Sequence, residues 1–257
     1  APRAVHRSRA RRVRTPCRMR RFVLPAGLLL AFLPFPLAAD ALDDVRAGLG
    51  RLATAEPVRV RVAISRTETE KGEPKGPPKK GEANVEHGPA GLSIHLAPEY
   101  LPKPGTKAER KKQEETTVRL DPGDALKLVD PGTGLRQLLD GATLVSDRSE
   151  PFEGRPHRTV VFKVVPDVDE EDRKALKRYE DVVTLRLDAD GLPVALDRTL
   201  DLKFSKLLIS FTVSQRESRR FALVGGRLVT TSASEESASS GLGQSGGSST
   251  RWTVTPL

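Results

Sequence analysis

The chain changes its hydrophobic period at Pro57. Before it, apolar residues recur every three or four positions and predict a short amphipathic helix with Asp40 as its N-cap; they are Leu42, Val45, Leu49 and Leu52. After it, apolar and polar residues alternate strictly over positions 58–64, which predicts a strand with one buried face.

The next segments alternate between turn-forming and strand-forming composition. Residues 71–82 are rich in Pro, Gly and Lys and predict a flexible loop. Residues 84–96 predict one further strand, in which Leu92, Ile94 and Leu96 are spaced two apart. Residues 102–116 are charged with both signs interleaved, which indicates a solvated helix or a mobile connector.

Two short leucine-containing helices are predicted within residues 121–141. Asp121 is an N-cap candidate directly before Pro122, a residue favoured at the first helical position. Pro131 interrupts the pattern, and a second apolar face continues to Gly141. These helices carry enough leucine to cover one face of a sheet.

From residue 142 onward the chain predicts strands almost throughout. Apolar residues alternate with polar ones in several segments, and turns are indicated at 188–191 and at Gly225-Gly226. The Ser/Gly-rich segment 232–250 is interpreted as a flexible loop before a last strand with Trp252 and Val254. The predicted fold class is mainly β (α+β), an antiparallel meander with one apolar face and a few short helices covering it.

The N-terminal region has the pattern of a secretory signal peptide. Met19 is the only methionine; two arginines and an apolar run over 22–37 follow it, and small residues end the run. We predict that 1–18 is an upstream extension from an overlong gene model, that 19–39 is a signal peptide cleaved near Ala39 or Ala41, and that 40–257 is a single exported domain. A mitochondrial transit peptide, twin-arginine export and a retained membrane anchor are the alternatives.

Charge and cysteine usage change once this region is set apart. Nine of the 43 Lys and Arg residues are arginines within residues 1–39, which contain no acid, and the remaining 34 basic residues balance the 34 acids. A neutral chain has no general attraction for phosphate backbones, so no nucleic-acid partner is expected. Cys17 is the only cysteine, so residues 40–257 contain neither a thiol nor a disulfide.

The candidate chemical motifs have simpler structural explanations. Asp188-Ala-Asp-Gly191 resembles the start of a calcium loop but lacks its later ligands, so a turn is expected. The acids within 167–172 precede an apolar pair, as acids in the first turn of a helix do. The histidines are dispersed, and no nucleophile elbow or phosphate-binding glycine loop occurs. We therefore expect no enzyme activity, no catalytic residues, no metal site and no cofactor.

Two short stretches carry a resemblance to a known superfamily. Phe152-Glu-Gly-Arg-Pro156 leads into a predicted strand, and Gly191-Leu-Pro-Val194 follows a later one. Together with the opening helix and alternating valines, this resembles periplasmic LolA-type and LppX-type proteins and the N-terminal domain of RseB/MucB-type sensors. The segment 95–100 departs from the Arg-Pro-aromatic pattern of LolA carriers, and a leucine replaces the tryptophan of the family motif.

The resemblance implies a curved antiparallel sheet that forms an unclosed β-barrel, with helices in its concave face. It also implies a noncatalytic periplasmic or secreted binding protein that holds a lipid, an acyl chain or another apolar ligand between sheet and helices. The alternative is an interaction or sensor module that binds an envelope protein, and a filled core under the helices is a third interpretation. The candidate ligand-lining residues are Leu185, Leu187, Val194, Leu196, Leu207, Ile209 and Phe211.

Overall fold

The structure, a computed structural model, describes residues 39–52, 56–101, 104–166, 169–206 and 209–257. The helices are α1 (Ala39–Gly50), α2 (Lys107–Thr116), α3 (Pro122–Val129), α4 (Pro131–Asp140) and α5 (Glu170–Ala175). The strands are β1 (Val58–Glu70), β2 (Glu73–Pro74), β3 (Lys79–Gly88), β4 (Gly91–Leu96), β5 (Ala142–Phe152), β6 (Arg155–Val164), β7 (Leu176–Leu187), β8 (Pro193–Lys206), β9 (Ile209–Val224), β10 (Arg227–Gly241) and β11 (Gln244–Pro256).

The predicted extension 1–18 and all but the last residue of the predicted signal peptide 19–39 lie outside the described residues, so both stay predictions. Within the described ranges, no helix combines the length and apolar character needed to cross a bilayer.

The described strands form one antiparallel sheet that does not close. Its order is β4-β3-β1-β11-β10-β9-β8-β7-β6-β5, with the short β2 beside β1. The end strands β4 and β5 are not paired with each other, so the sheet remains open. This confirms the predicted fold class, a mainly β chain whose antiparallel sheet is an unclosed barrel accompanied by short helices.

Helices cover one face of this sheet, here called the inner face. The alternation of β1 from Val58 to Ile64 buries every second residue against the helices, as predicted. One apolar cluster joins α1 and α4 to β6, β7 and β8, and a second joins α3 to β1, β3 and β11. The side chains that face away from the helices form the outer face.

The covering helices are tied to one another by main-chain acceptors. Arg46 of α1 donates to the Leu139 carbonyl at 2.5 Å, and Arg136 of α4 donates to the Leu49 carbonyl at 3.1 Å. Each arginine therefore satisfies a carbonyl near the end of the other helix, where no intrahelical donor is available. Asp121 caps α3 as predicted, accepting from the Gly123 amide at 2.7 Å.

Two of the predicted boundaries between strand and loop are wrong. The expected strand 84–96 is a hairpin, because the chain turns between Gly88 and Gly91, where Gly91 has a φ of 100°. The expected loop 71–82 ends earlier, since β3 begins at Lys79 and pairs with β1. Only glycine fits at position 81 of β3, because a Cβ there would lie 2.1 Å from the carbonyl oxygen of Val118.

The predicted flexible loop 232–250 is also wrong, because these residues form the long hairpin of β10 and β11. Its Ser/Gly composition hides the strands, since a strand reveals itself by alternating apolar residues only where one face is buried. The glycines fit close packing: a Cβ on Gly247 would lie 2.6 Å from the Ser237 carbonyl oxygen. Hydroxyl-bearing and small residues thus mark a sheet region beyond the helices.

The tip of this hairpin places a leucine in an unfavourable conformation. Leu242 has a φ of 52° and its side chain is 78% exposed, and Gly243 follows with a φ of 76°. Two-residue turns of this kind favour Asn-Gly, because asparagine tolerates the left-handed region better than leucine does.

We expect Leu242→Asn to raise the free energy of unfolding by about 1 kcal/mol, because it relieves this backbone strain. The measurement is urea denaturation of both proteins. Leu223→Asn is the matched control, since Leu223 is half exposed within a regular strand and has no positive φ to relieve. An equal gain in both variants would show that lower surface hydrophobicity, and not turn strain, is responsible.

The two free edges of the sheet are poorly suited to pairing with another strand. In β5, a bulge at Val145 interrupts the ladder, and Asp147, Arg148 and Pro151 follow it. Bulges, charges and proline are the common means by which edge strands avoid added partners. At the other edge, β4 is six residues long.

The Phe152 motif forms the β5–β6 turn. Glu153 and Gly154 both have positive φ, and the Phe152 ring lies under two guanidinium groups. The Cζ atoms of Arg186 and Arg220 are 4.6 and 4.9 Å from the ring centroid. The motif therefore anchors a turn by cation–π contacts, which is a role in the fold.

Candidate functional site

Three of the predicted ligand-lining residues belong to the filled core. Leu185 and Leu187 are 0% exposed and Leu196 is 2% exposed, within the cluster under α1 and α4. They therefore border no open space, which corrects their assignment as ligand-lining residues. The inner-face alternation that suggested them is equally the pattern of a core, because helices fill the space above these strands. Val194 is half-buried.

The remaining predicted lining residues lie elsewhere. Ile209 and Phe211 are 49% and 38% exposed at the start of β9, in the part of the sheet that lies beyond α1, α3 and α4. The Phe211 ring stacks on Phe204 of β8 with 5.1 Å between centroids. Leu207 lies outside the described residues. Of the seven predicted residues, three thus belong to the core and two lie at the far end of the sheet.

A row of charged side chains separates these two regions on the inner face; we call it the charge row. Strand register places Arg198 opposite Val183 on one side and opposite Glu217 on the other, and Glu217 opposite Glu235. The row comprises Asp181, Arg198, Glu217, Arg219 and Glu235. Along β7 and β8 it follows the buried inner-face residues, such as Leu185 and Leu196.

Asp181 is the most buried member of the charge row. Its side chain is 0% exposed, and its two carboxylate oxygens accept from Nε and Nη2 of Arg198 at 2.9 and 2.7 Å. The Tyr179 hydroxyl donates to the same carboxylate at 3.1 Å. Burial and the adjacent Asp181 charge raise the pKa of Tyr179 to about 12, so it remains a neutral donor at pH 7.

The other end of the charge row contacts α3. Glu217 and Arg219 form an ion pair whose side chains are largely buried. Arg219 also donates to the Lys127 carbonyl of α3 at 3.4 Å. Burial and the neighbouring Glu217 and Asp124 carboxylates raise the pKa of Glu235, against the opposing influence of Lys127 and Arg219. Glu235 is therefore ionised at an energetic cost at neutral pH.

We expect Glu235→Gln to raise the free energy of unfolding at pH 7. A carboxyl group whose pKa is higher in the folded state binds its proton more tightly there, so folding is weakened at pH values above that pKa. The gain should shrink as the pH falls and vanish near about pH 4, where the carboxyl is largely protonated in the folded and the unfolded chain alike. Urea denaturation of the variant and the wild type across this pH range measures the gain in unfolding free energy.

Glu236→Gln is the control for this experiment. Glu236 is the next residue of β10 but is exposed on the outer face. It should change stability little at any pH. A gain from Glu235→Gln that does not depend on pH would contradict the assigned cause.

Beyond the charge row lies an open cavity of about 1090 Å³, which we call the distal trough. Its walls are β1 and the β1–β2 turn on one side and the start of β9 on the other, and β10 and β11 form its floor. Its lining includes Arg66, Glu68, Glu70, Lys71, Lys75, Ile209, Phe211, Ser237, Ser239, Leu242 and Ser248.

The two walls differ in chemistry. The β1 wall carries charges of both signs: Glu68 lies 3.5 Å from Arg66 and 3.2 Å from Lys79, and Lys75 lies 3.4 Å from Glu70. The β9 wall presents the apolar side chains of Ile209 and Phe211. Serine hydroxyls line the floor between them. The trough is therefore amphipathic across its width, with its charged side chains on one wall and its apolar side chains on the other.

The space between α3 and the sheet contrasts with the trough. The cavity there holds about 10 Å³, the room of roughly one water molecule. It is bordered by Leu128, Trp252 and members of the charge row.

The remaining sequence motifs have structural roles. Asp188 accepts from the Asp190 and Leu192 amides at 3.0 and 2.8 Å, and Gly191 has a φ of 77°, so this motif is a turn as predicted. Glu170 begins α5 within the acidic segment, and Asp167 lies outside the described residues. Among the described residues, no three His, Cys, Asp or Glu side chains are grouped as metal ligands.

The sequence contains a signal for the charge row that the alternation alone did not reveal. Arg198 occupies an inner-face position between Leu196 and Leu200, and Asp181 occupies one in line with Val183. A charged residue at an apolar-face position indicates a buried ion pair or the end of the covered region. The trough has no such signal, because serine and glycine are common in exposed strands and in loops.

Comparison with known proteins identifies no family. No protein-family model matches the sequence, and no curated protein matches it. One solved structure is similar, the crystal structure of MucB in complex with MucA(peri); the alignment covers 85% of this chain and 94% of that chain at 14% identity, with a TM-score of 0.21. At that TM-score and identity, the likeness carries no conclusion about the family or the function of this chain.

Proposed function

We propose that this protein is a noncatalytic binding module of the periplasm, and that it receives a polypeptide segment of an envelope protein in the distal trough. The observation that supports it is the contrast between the two cavities. The space under α3 has room for about one water, whereas the trough is open and about 1090 Å³ in volume. The location rests on the signal-peptide pattern of residues 19–39.

The lining of the trough favours a polypeptide over a lipid. An acyl chain would cover the charged β1 wall and the serine floor without satisfying their hydrogen-bonding groups, which is unfavourable. A polypeptide offers backbone donors and acceptors to that wall and an apolar side chain to Ile209 and Phe211. The volume also exceeds that of most pockets for small molecules, which hold roughly 300–1,000 Å³.

The edges of the sheet also favour the distal trough as the binding surface. An interaction module that adds a partner strand needs a regular, unpaired edge. Here the bulge, charges and proline of β5 oppose such pairing, so the trough is the better candidate surface. The module is noncatalytic in this proposal because the charged groups beside the trough are paired with one another, as in Asp181–Arg198 and Glu217–Arg219.

Site-specific photocrosslinking tests this proposal. Benzoylphenylalanine is placed at Ser239, exposed on the trough floor, or at Thr253, exposed on the outer face of β11. After irradiation of producing cells, we expect the Ser239 variant to yield a crosslinked envelope polypeptide that the Thr253 variant does not. Mass spectrometry identifies the crosslinked segment, which is then synthesised.

The synthetic segment provides the decisive measurement. It should bind the purified protein, and Glu68→Lys should weaken binding because it reverses a charge of the β1 wall. Glu236→Lys, on the outer face, should have little effect. A lipid adduct at Ser239, or equal crosslinking from both positions, would contradict a polypeptide site in the trough.

A further inference from the structure

The outer end of the distal trough is lined by Lys71 on the β1 wall and by exposed apolar side chains of the β10–β11 tip and the β9 wall. Lys71 lies in the β1–β2 turn, and its backbone amide donates to the Ser245 carbonyl of β11 at 3.0 Å. Gly241, one residue before the tip residue Leu242, is opposite Phe211 in the ladder. The β1–β2 turn, the β10–β11 hairpin and the start of β9 therefore adjoin one another at this end of the sheet.

Lys71 differs from its neighbour Lys75 in its charge partners. Lys75 is 3.4 Å from Glu70, whereas the Lys71 ammonium has no ion-pair partner among the described residues. Both lysines line the trough. The outer end thus carries one uncompensated positive charge, which complements a carboxylate.

The apolar groups beside it are small in number and close to the opening. Ile209, Phe211 and Leu242 are 49%, 38% and 78% exposed and line the same cavity as Lys71. Three such residues can cover one aliphatic side chain, whereas a long acyl chain would continue onto the serine floor. The complementary ligand therefore combines one carboxylate with one short apolar group.

Backbone strain occurs at the same place. Lys71 and Leu242 both adopt positive φ, at 54° and 52°. Residues other than glycine are unfavourable in this backbone region, and such strain is concentrated at ligand-binding and catalytic sites. Asparagine or glycine would relieve the strain, but neither would present an ammonium group or an aliphatic side chain.

We infer that the outer end of the trough is a subsite for the free C-terminus of a polypeptide whose last residue is apolar. The Lys71 ammonium receives the terminal carboxylate, and Leu242, Ile209 and Phe211 cover the last side chain. A C-terminal residue is the one position in a polypeptide where a carboxylate and an aliphatic side chain share a single Cα. This subsite rests on the proposed function, because the preceding residues of the bound segment would lie along the trough.

Three synthetic probes test the subsite. Each is an octapeptide of alternating serine and alanine that ends in leucine: one is a free acid, one is amidated, and one is amidated with aspartate before the leucine. NMR titration into the full-length protein measures Kd. We expect the free acid to bind about two- to fivefold more tightly than either amide, as for a partly exposed ion pair.

Protein variants assign the effect to residues. Lys71→Met should remove the preference for the acid, and Lys75→Met, whose charge is already paired, should retain it. Leu242→Asn should weaken binding of the free-acid peptide, although we expect this variant to be at least as stable as the wild-type protein. If Leu242→Asn and the control Leu223→Asn weaken peptide binding equally, the proposed contact between Leu242 and the last side chain of the peptide is contradicted.

The remaining outcomes separate this inference from the proposed function. Equal affinity of the acid and the two amides, or no binding of the acid, overturns the C-terminal subsite. If the crosslinked segment of the envelope partner binds in that case, the trough remains a polypeptide site. Binding of decanoate at Lys71 with no binding of the peptide acid would instead assign this end to a fatty acid and overturn the inference.

Discussion

Leu185→Ala is expected to lower the free energy of unfolding by about 3 kcal/mol, as large-to-small substitutions in filled cores do. Leu185 is fully buried, opposite Leu196 on β8 and Val160 on β6, beneath α1 and α4. Removing three of its side-chain carbons leaves a cavity that the sheet and helices fill only in part. Urea denaturation of the variant and the wild type gives the difference.

The same variant distinguishes a core from a ligand cavity. If Leu185 lined an open space for an apolar ligand, its truncation would cost about 1 kcal/mol or less and would change ligand uptake instead. Leu200→Ala is the matched control, because Leu200 faces the same side of β8 beyond the charge row and is half-buried. A loss from Leu185→Ala no greater than that from Leu200→Ala would contradict a filled core.

Asp181→Ala is expected to lower the free energy of unfolding by about 3 kcal/mol, because it removes one partner of a buried ion pair. Arg198 would lose both of its short hydrogen bonds, and the Tyr179 hydroxyl would lose its acceptor. Chemical denaturation at pH 7 measures the loss. Asp201→Ala is the control, since its contact with Arg178 at 3.5 Å is between exposed side chains.

A double-mutant cycle shows whether this loss of stability comes from the interaction between Asp181 and Arg198 or from the burial of each side chain separately. The single variants are Asp181→Leu and Arg198→Met; each leaves one member of the pair without its partner and should be strongly destabilising. The double variant Asp181→Leu/Arg198→Met should recover much of the loss, because apolar residues of similar size can replace a buried ion pair at little net cost. Additive losses in the double variant would contradict a direct coupling between these two residues.

The sequence predicts those elements well whose side chains alternate between water and a covered face. Val58 to Ile64 and the helix-spaced residues of α1 are examples, because helix or sheet packing makes their burial periodic. The hairpin of β10 and β11 is the opposite case. Its strands extend beyond the helices, so neither face demands apolar residues, and serine and glycine conceal a regular ladder.

The candidate site was predicted only in part for a related reason. Alternation identifies inner-face residues, but it does not tell whether a helix covers them, so Leu185 and Phe211 received the same interpretation. The structure separates them by burial. The charge row was detectable at Arg198, whereas Lys71 and Leu242 are brought together only by the pairing of distant strands.

The covering of the sheet by helices at one end has a consequence for how stability is distributed. Near α1, α3 and α4, opening a strand would expose apolar side chains, so local opening there approaches global unfolding in free energy. Beyond the charge row, β10 and β11 have backbone hydrogen bonds but few apolar contacts, and their local opening is less costly. A segment that lies in the trough would add contacts where the sheet has fewest. Part of its binding free energy would then be observed as slower amide exchange of the hairpin itself.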